Sequence, residues 1–209
     1  MKDDIISLIS DFGEFTLDYF IQDGAIKDLP IVGSLFSIIK VSIDVRDRIF
    51  VEKIKSFVEN IDQNTKWREK FSDDDECIKI SKQLLYIVDS CDDDNKLKLI
   101  GMAFNYLVNG TISRDEYFYT VNIISKSFFP FLKMLLDIDG SDDKRFKNDN
   151  TKYDYVGIAH LLNIGALDFD GQTMASFNAE TGKLVSPPSI IVTINGYSEF
   201  LIELLNKLY

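Results

Sequence analysis

The chain is short of the residues that most site chemistry needs. His160 is the only histidine in 209 residues, which rules out multi-histidine metal sites and leaves acid–base schemes to carboxylates. There are two cysteines, Cys77 and Cys91. Both fall on one expected helix, where fourteen residues at about 1.5 Å rise each hold them on the order of 20 Å apart, too far for a mutual disulfide. A reduced, cytoplasmic setting is the expectation. Glycine-rich phosphate loops are missing too: neither GxGxxG nor GxxxxGK occurs, and HExxH is absent. The nearest approach to a nucleophile elbow, Gly196-Tyr197-Ser198, has Phe200 where the second glycine belongs.

Basic charge is scarce. Twenty-three Lys and Arg stand against 34 Asp and Glu, for a net charge of −11, which argues against a broad grip on phosphate backbones or anionic lipid heads. No uncharged apolar run approaches the roughly 20 residues a bilayer span needs. The longest, 29–39, ends at Lys40. The opening MKDDIISL has no basic stretch ahead of its apolar residues, so a secretory signal is not expected.

What the chain does have is apolar residues at helical spacing, 45% of the total with 12% aromatic, ample for a sizeable core. The clearest stretch is 30–61. Pro30 suits a first helical turn, where its missing N–H costs nothing. Val32, Leu35, Phe36, Ile39, Ile43, Phe50, Ile54, Phe57 and Ile61 then recur on one face. A second row, Ile38, Val41, Val45 and Ile49, follows another flank. Such a helix is wet on a narrow strip only, so it is expected to be the axle of a bundle. A bend is expected at 44–48, where charge intrudes.

Around this axle the spacing predicts further helices. One covers 3–22, with a stop at Gly24. Residues 62–71, carrying Trp67, read as a polar connection. Ser72 and the acidic residues 73–76 open a helix burying Cys77, Ile80, Leu84, Ile87, Val88 and Cys91. Asp92, Asp93 and Asp94 start the next, about 95–108, stopped at Gly110. Ser113 and Glu116 have capping-box spacing ahead of Tyr117, Val121 and Ile124. Pro130 should break that helix before 131–138 continues. Residues 139–152 are polar and charged, the most evident linker. Beyond it come a short helix, 155–164, ended by Gly165, a strand at 166–170, a turn at Asp170-Gly171 and a strand at 174–177. A strand at 189–193 follows, with Thr193 as cap of a last helix. The fold class expected is mainly α: a helical bundle over 1–138, the linker 139–152, and a small α/β-ribbon module over 153–209.

The run YVGIAHLLNIGALDFDGQ…SIIVTINGYSEFLIELL resembles the end of a winged-helix module. There a short helix leads through a glycine into a strand, a wing hairpin and a return strand. It is similar to the C-terminal part of some prokaryotic abortive-infection and mobile-element proteins, which carry a helical region ahead of it. That resemblance implies a winged-helix-like fold and a setting in phage defence or mobile-element biology. The chain departs from the pattern at 139–152, which is too polar for a good second helix. The abundance of Ile, Lys, Asp, Asn and Phe fits an AT-rich, bacterial or viral genome.

A DNA-reading helix needs side chains that reach base edges and flanks that neutralise phosphate. The helix at 155–164 has neither Lys nor Arg. Its polar stripe is Asp154, Gly157, His160 and Asn163, with His160 expected in solvent, and Asp154 would repel a duplex. This sets a transcriptional regulator below a protein-contact role. NYLVNGTISRDE, 105–116, mimics the back half of an EF-hand, yet Asn105 and Leu107 stand at the first and third ligand positions. A capping box explains Ser113 and Glu116 without a metal. The acidic clusters at 73–76 and 92–94 complement helix dipoles. A membrane-interacting effector using 30–61 is the main alternative, since Lys40, Arg46, Arg48, Lys53 and Lys55 follow its apolar half. Interspersed Asp44, Asp47, Glu52 and Glu59 favour a bundle core instead. The expectation is therefore a non-enzymatic intracellular interaction protein with no metal or cofactor. It binds a protein partner or itself, with Asp154, His160 and Asn163 as the partner-binding residues.

Overall fold

Among the described residues, helices form where the three- and four-residue apolar spacing recurs, and short strands lie between 145 and 193. The structure, a computed structural model, describes residues 45–62, 74–138, 145–148, 155–186 and 188–209. The helix expected at 3–22, the first half of the axle at 30–44 and the Trp67 connection lie outside the described residues. Those described comprise seven helices and five strands, in two compact units within 1–113 and 114–209. Among them no helix is long and apolar enough to cross a membrane.

The first unit holds α1 (Val45–Val58), α2 (Asp74–Ser90) and α3 (Asp94–Asn109), with α1 packed on both others. Ile54, Phe57 and Ile61 are buried as the spacing of the axle requires, and Phe57 meets Phe104 edge to face at 6.1 Å. Each such side chain removed from water contributes about 1.5–3 kcal/mol. Of the second apolar row only the Ile49 side chain is among those described, and it is exposed. Ile87 is half-buried rather than core. In α3, Gly101 lets the helices approach until a Cβ there would fall on the Phe57 carbonyl. The chain leaving α1 is held by the Asn105 amide, whose Nδ2 donates to the Asn60 carbonyl at 2.9 Å. Its Oδ1 accepts from the Asp62 N–H at 2.8 Å.

Acidic residues start α3 as expected. Asp93 is the N-cap, accepting from the Asn95 N–H at 2.8 Å, and Asp94 occupies the first turn. Gly110 ends the helix in the left-handed region, φ 74°, its N–H bonded to the Leu107 carbonyl.

The second unit holds α4 (Arg114–Lys126), α5 (Phe129–Ile138), β1 (Arg145–Asn148), α6 (Tyr155–Asn163), β2 (Asp168–Thr173), β3 (Ser176–Phe177), β4 (Leu184–Ser186), β5 (Ser189–Thr193) and α7 (Gly196–Leu208). The helix break falls at 127–128, with Pro130 in the first turn of α5. The division of the chain falls at 113/114, ahead of the 138 boundary read from the sequence. The cause is packing: α5 lies on α6 and α7, and α4 on α7.

Three strands form an antiparallel sheet in the order β1–β5–β2, and β3 and β4 form a separate hairpin. Two sequence expectations are corrected here. Within 139–152, residues Arg145–Asn148 are a strand paired with Ile190–Thr193. An edge strand needs no apolar alternation when backbone bonds hold it, so polarity hid it. Asp170-Gly171 is not a turn: β2 runs through it with a shift of register between Phe169 and Gly171. Glycine inside a strand marks such an irregularity. The reversal comes later, at Asn178–Gly182.

Thr193 is the last residue of β5, and Asn195 caps α7 instead. The Asn195 Oδ1 accepts from the N–H groups of Tyr197 (3.1 Å) and Ser198 (3.0 Å). Its Nδ2 donates to the Gly165 carbonyl at 3.2 Å and to Asp168 Oδ1 at 3.0 Å. Ser198 Oγ donates to the Ala166 carbonyl. These bonds fix the turn through which α6 enters β2, where Gly165 sits at φ 78° with its N–H on the Leu162 carbonyl.

Candidate interaction surface

Helix α6 is nine residues long and lies on α5. Gly157 makes the seam: a Cβ there would stand 2.6 Å from Met134 Sδ and 2.9 Å from Phe131 Cδ1. Gly157 is therefore buried, and the stripe expected to run through it is interrupted. Ile158 and Leu161 are buried with it. The exposed residues are Tyr155, Val156, Ala159 and Asn163, a face without charge.

His160 sits at the edge of this seam, half-buried rather than solvated. Its Nε2 accepts from the Phe128 N–H at 3.2 Å, and its ring lies 5.6 Å from that of Phe131. Phe128 is 54% exposed and meets Phe131 edge to face at 5.1 Å. The Phe128 backbone is thus held by His160 and its ring by Phe131, with the ring left exposed beside α6. Of the three residues expected to bind a partner, Asn163 is exposed, His160 positions Phe128, and Asp154 lies outside the described residues.

Helical spacing does not single out Phe128, although a local signal is present in the chain. Phe128 and Phe129 are adjacent just ahead of a proline, and two consecutive side chains at a helix start diverge. Phe129 is buried, which leaves Phe128 outward. Likewise Leu184 and Val185, adjacent in a two-stranded hairpin, are both exposed, as are Met174 and Phe177.

An open groove of about 620 Å³ lies in the first unit, between α1 and the start of α3. Several of its polar groups are already paired with one another or with nearby backbone. Lys53 Nζ donates to the Asp89 carbonyl at 2.5 Å, and Ser56 Oγ donates to Asp94. Asp94 pairs with Lys98 at 2.7 Å, and Asp92 with the buried Lys96 at 2.6 Å. The Lys96 hydrogen bond keeps the Asp92 carboxyl below its ordinary range. At Asp94 partial burial pushes upward, but Lys98 and Ser56 outweigh it and the carboxyl is lowered. Asp94 in turn raises Lys98. Burial pushes the Cys91 thiol up to about 11 against the pull of Lys96 and Lys53, so its nucleophilic thiolate is suppressed. Cys91 is a free, buried cysteine. The groove is a seam of α1 on α3, with no poised nucleophile.

The EF-hand-like run, 105–116, spans a helix end, a turn and a helix start. The Asn105 amide serves Asn60 and Asp62. Among the described residues no group of three or more His, Cys, Asp or Glu is arranged to hold a metal ion. No protein-family model, curated protein or solved structure matches the chain.

Proposed function

We propose that this is a protein-binding chain without catalytic chemistry of its own, whose C-terminal unit is winged-helix-like and meets its partner through α6. The winged-helix reading is supported by chain order. A short helix passes through Gly165 into β2, a hairpin, the return strand β5 and a closing helix, with sheet order β1–β5–β2. The resemblance of this segment to abortive-infection and mobile-element proteins gives phage defence or mobile-element biology as the setting.

One observation carries the choice of partner. The exposed face of α6 is Tyr155, Val156, Ala159 and Asn163, uncharged throughout, with Phe128 held out at its rim. A duplex would require cations there to neutralise phosphate. A protein surface requires apolar and aromatic contact with a few polar groups, which this face supplies. Asn163 contributes the polar group, and His160 fixes the aromatic one.

The test is partner recovery by the full chain carrying Val156→Arg, Asn163→Arg or Phe128→Ala, against Tyr86→Arg as an exposed control. Loss with the first three and retention with the control supports the reading. Equal recovery from all four removes α6 as the contact. Duplex binding at low salt, abolished by Asn163→Glu, would replace the reading with a transcriptional regulator.

A further inference from the structure

We infer that the β3–β4 hairpin is a self-association surface, and that what covers it is the same hairpin of a second copy of this chain. Apolar side chains in it and just ahead of it are bare: Met174, two residues before β3, is 86% exposed, and within the hairpin Val185 is 66%, Phe177 62% and Leu184 55%. Phe177 and Leu184 are register partners, so they share one face of the ladder. A two-stranded ribbon has no layer behind it to bury these groups, and in isolation such a ribbon is marginal in water.

The hairpin is nevertheless ordered at its tip. Asn178 Oδ1 accepts from the N–H groups of Glu180 (3.0 Å) and Thr181 (2.8 Å). The Asn178 N–H donates to the Lys183 carbonyl at 2.8 Å. Gly182, at φ 63°, returns its N–H to the Asn178 carbonyl at 2.9 Å. A turn fixed in advance reduces the ordering entropy that association must overcome.

Charge selects the occupant. The chain carries −11 overall, so most contacts between copies are repulsive. From Met174 to Pro188 the ionisable residues are one acid, Glu180, and one base, Lys183. Both are exposed, and neither is in an ion pair among the described residues. A two-fold axis through the hairpin sets Glu180 of each copy against Lys183 of the other, the reciprocal matching that isologous interfaces need. A strongly acidic or basic partner would satisfy only one of the two.

Area sets the strength. Four side chains of this size and exposure offer roughly 500 Å² per copy, so a pair removes about 1,000 Å², near the lower bound of specific interfaces. Among the described residues β3 and β4 pair with each other and with no third strand. Neither strand carries the lysine, acid or proline that normally blunts an edge. A reversible dimer in the micromolar range is the expected result.

Sedimentation velocity of the full chain, from about 1 to 200 µM, tests this across the expected range. A concentration-dependent monomer–dimer equilibrium is expected, abolished by Phe177→Glu, whose exposed position leaves the circular dichroism unchanged. Glu180→Lys and Lys183→Glu should each weaken the dimer roughly three- to tenfold by setting like charges across the axis. Together they should restore it to near the native value. Val156→Arg, on α6, should leave it intact, so failure here is separable from failure of the α6 contact. A chain monomeric throughout, a dimer indifferent to Phe177→Glu, or a double variant as weak as the singles would each overturn the inference.

Discussion

The backbone N–H of Phe128 donates to Nε2 of His160 across 32 residues and 3.2 Å. The single histidine thus works as a hydrogen-bond acceptor that fixes the start of α5 against α6. His160→Ala should cost about 1 kcal/mol of stability, the usual net value of such a bond, by urea unfolding. It should also reduce partner recovery as Phe128→Ala does, because the freed aromatic loses its orientation. Recovery that falls with Phe128→Ala but not with His160→Ala would restrict the histidine to a purely structural part.

Two buried glycines contrast a hard neighbour with a soft one. A Cβ on Gly101 falls on the Phe57 carbonyl, part of the α1 backbone, which cannot move without shifting the helix. On Gly157 it meets the side chains of Met134 and Phe131, and a thioether chain can change rotamer. Alanine recovers about 1 kcal/mol of helix propensity at either site, while overpacking costs about 1–3 kcal/mol. Gly101→Ala should therefore lose roughly 2 kcal/mol net and Gly157→Ala roughly 1, since Met134 can yield but the Phe131 ring must also shift. Thermal melts of the two variants compare them directly. Equal losses would mean that α5 and α6 are as rigid as the α1–α3 contact.

The helices were legible because their signals are periodic and local. Ile54, Phe57 and Ile61 could be assigned to a core from spacing alone, and Gly110 to a helix end from its freedom at positive φ. The edge strand Arg145–Asn148 could not be read, since its pairing with β5 is made by backbone groups that every residue carries. Asp170-Gly171 has the composition of a turn, yet the ladder to β5 continues past it and the reversal is built by Asn178 and Gly182 instead. Asn195 outcompeted Thr193 as the cap because its amide also reaches Gly165 and Asp168, a long-range contact no window of sequence contains. At the candidate surface, Asn163 was readable as exposed. The burial of Gly157 and the half-burial of His160 depend on where Met134 and Phe131 arrive in space.

Thr120 is fully buried in α4, and its hydroxyl oxygen has no hydrogen-bond partner among the described residues. Leaving such a group dry costs about 1–3 kcal/mol, and replacing it with a methyl of the same shape removes that cost. Thr120→Val should raise stability by roughly 1 kcal/mol in urea unfolding. Thr120→Ser, which keeps the hydroxyl and deletes the methyl, should lower it. A loss of stability in Thr120→Val would show that the oxygen is solvated in solution.

The α1–α3 seam should give the first unit a stability that falls at both ends of the pH scale. Asp92 and Asp94 have lowered carboxyls in the fold. The unfolded chain therefore takes up their protons first, at about pH 4. Their contribution is complete above that range and is lost as pH drops through the lower folded values. Asp92 is largely exposed, so solvent screening limits its pair with Lys96 to about 1 kcal/mol. Cys91 works in the opposite direction. Its thiol is raised to about 11, whereas the unfolded thiol ionises near pH 8.5. Stability declines as pH rises from there towards 11, because only the unfolded chain gains from ionisation. Lys98, raised by Asp94, adds a loss of the same sign at higher pH. Hydrogen exchange of α3 peptides between about pH 3 and 10, corrected for intrinsic rates, should report this dome. Asp94→Asn should flatten the acid limb and Cys91→Ala the alkaline limb. An acid limb unchanged in Asp94→Asn would place the protonation that loosens this unit on other carboxyls.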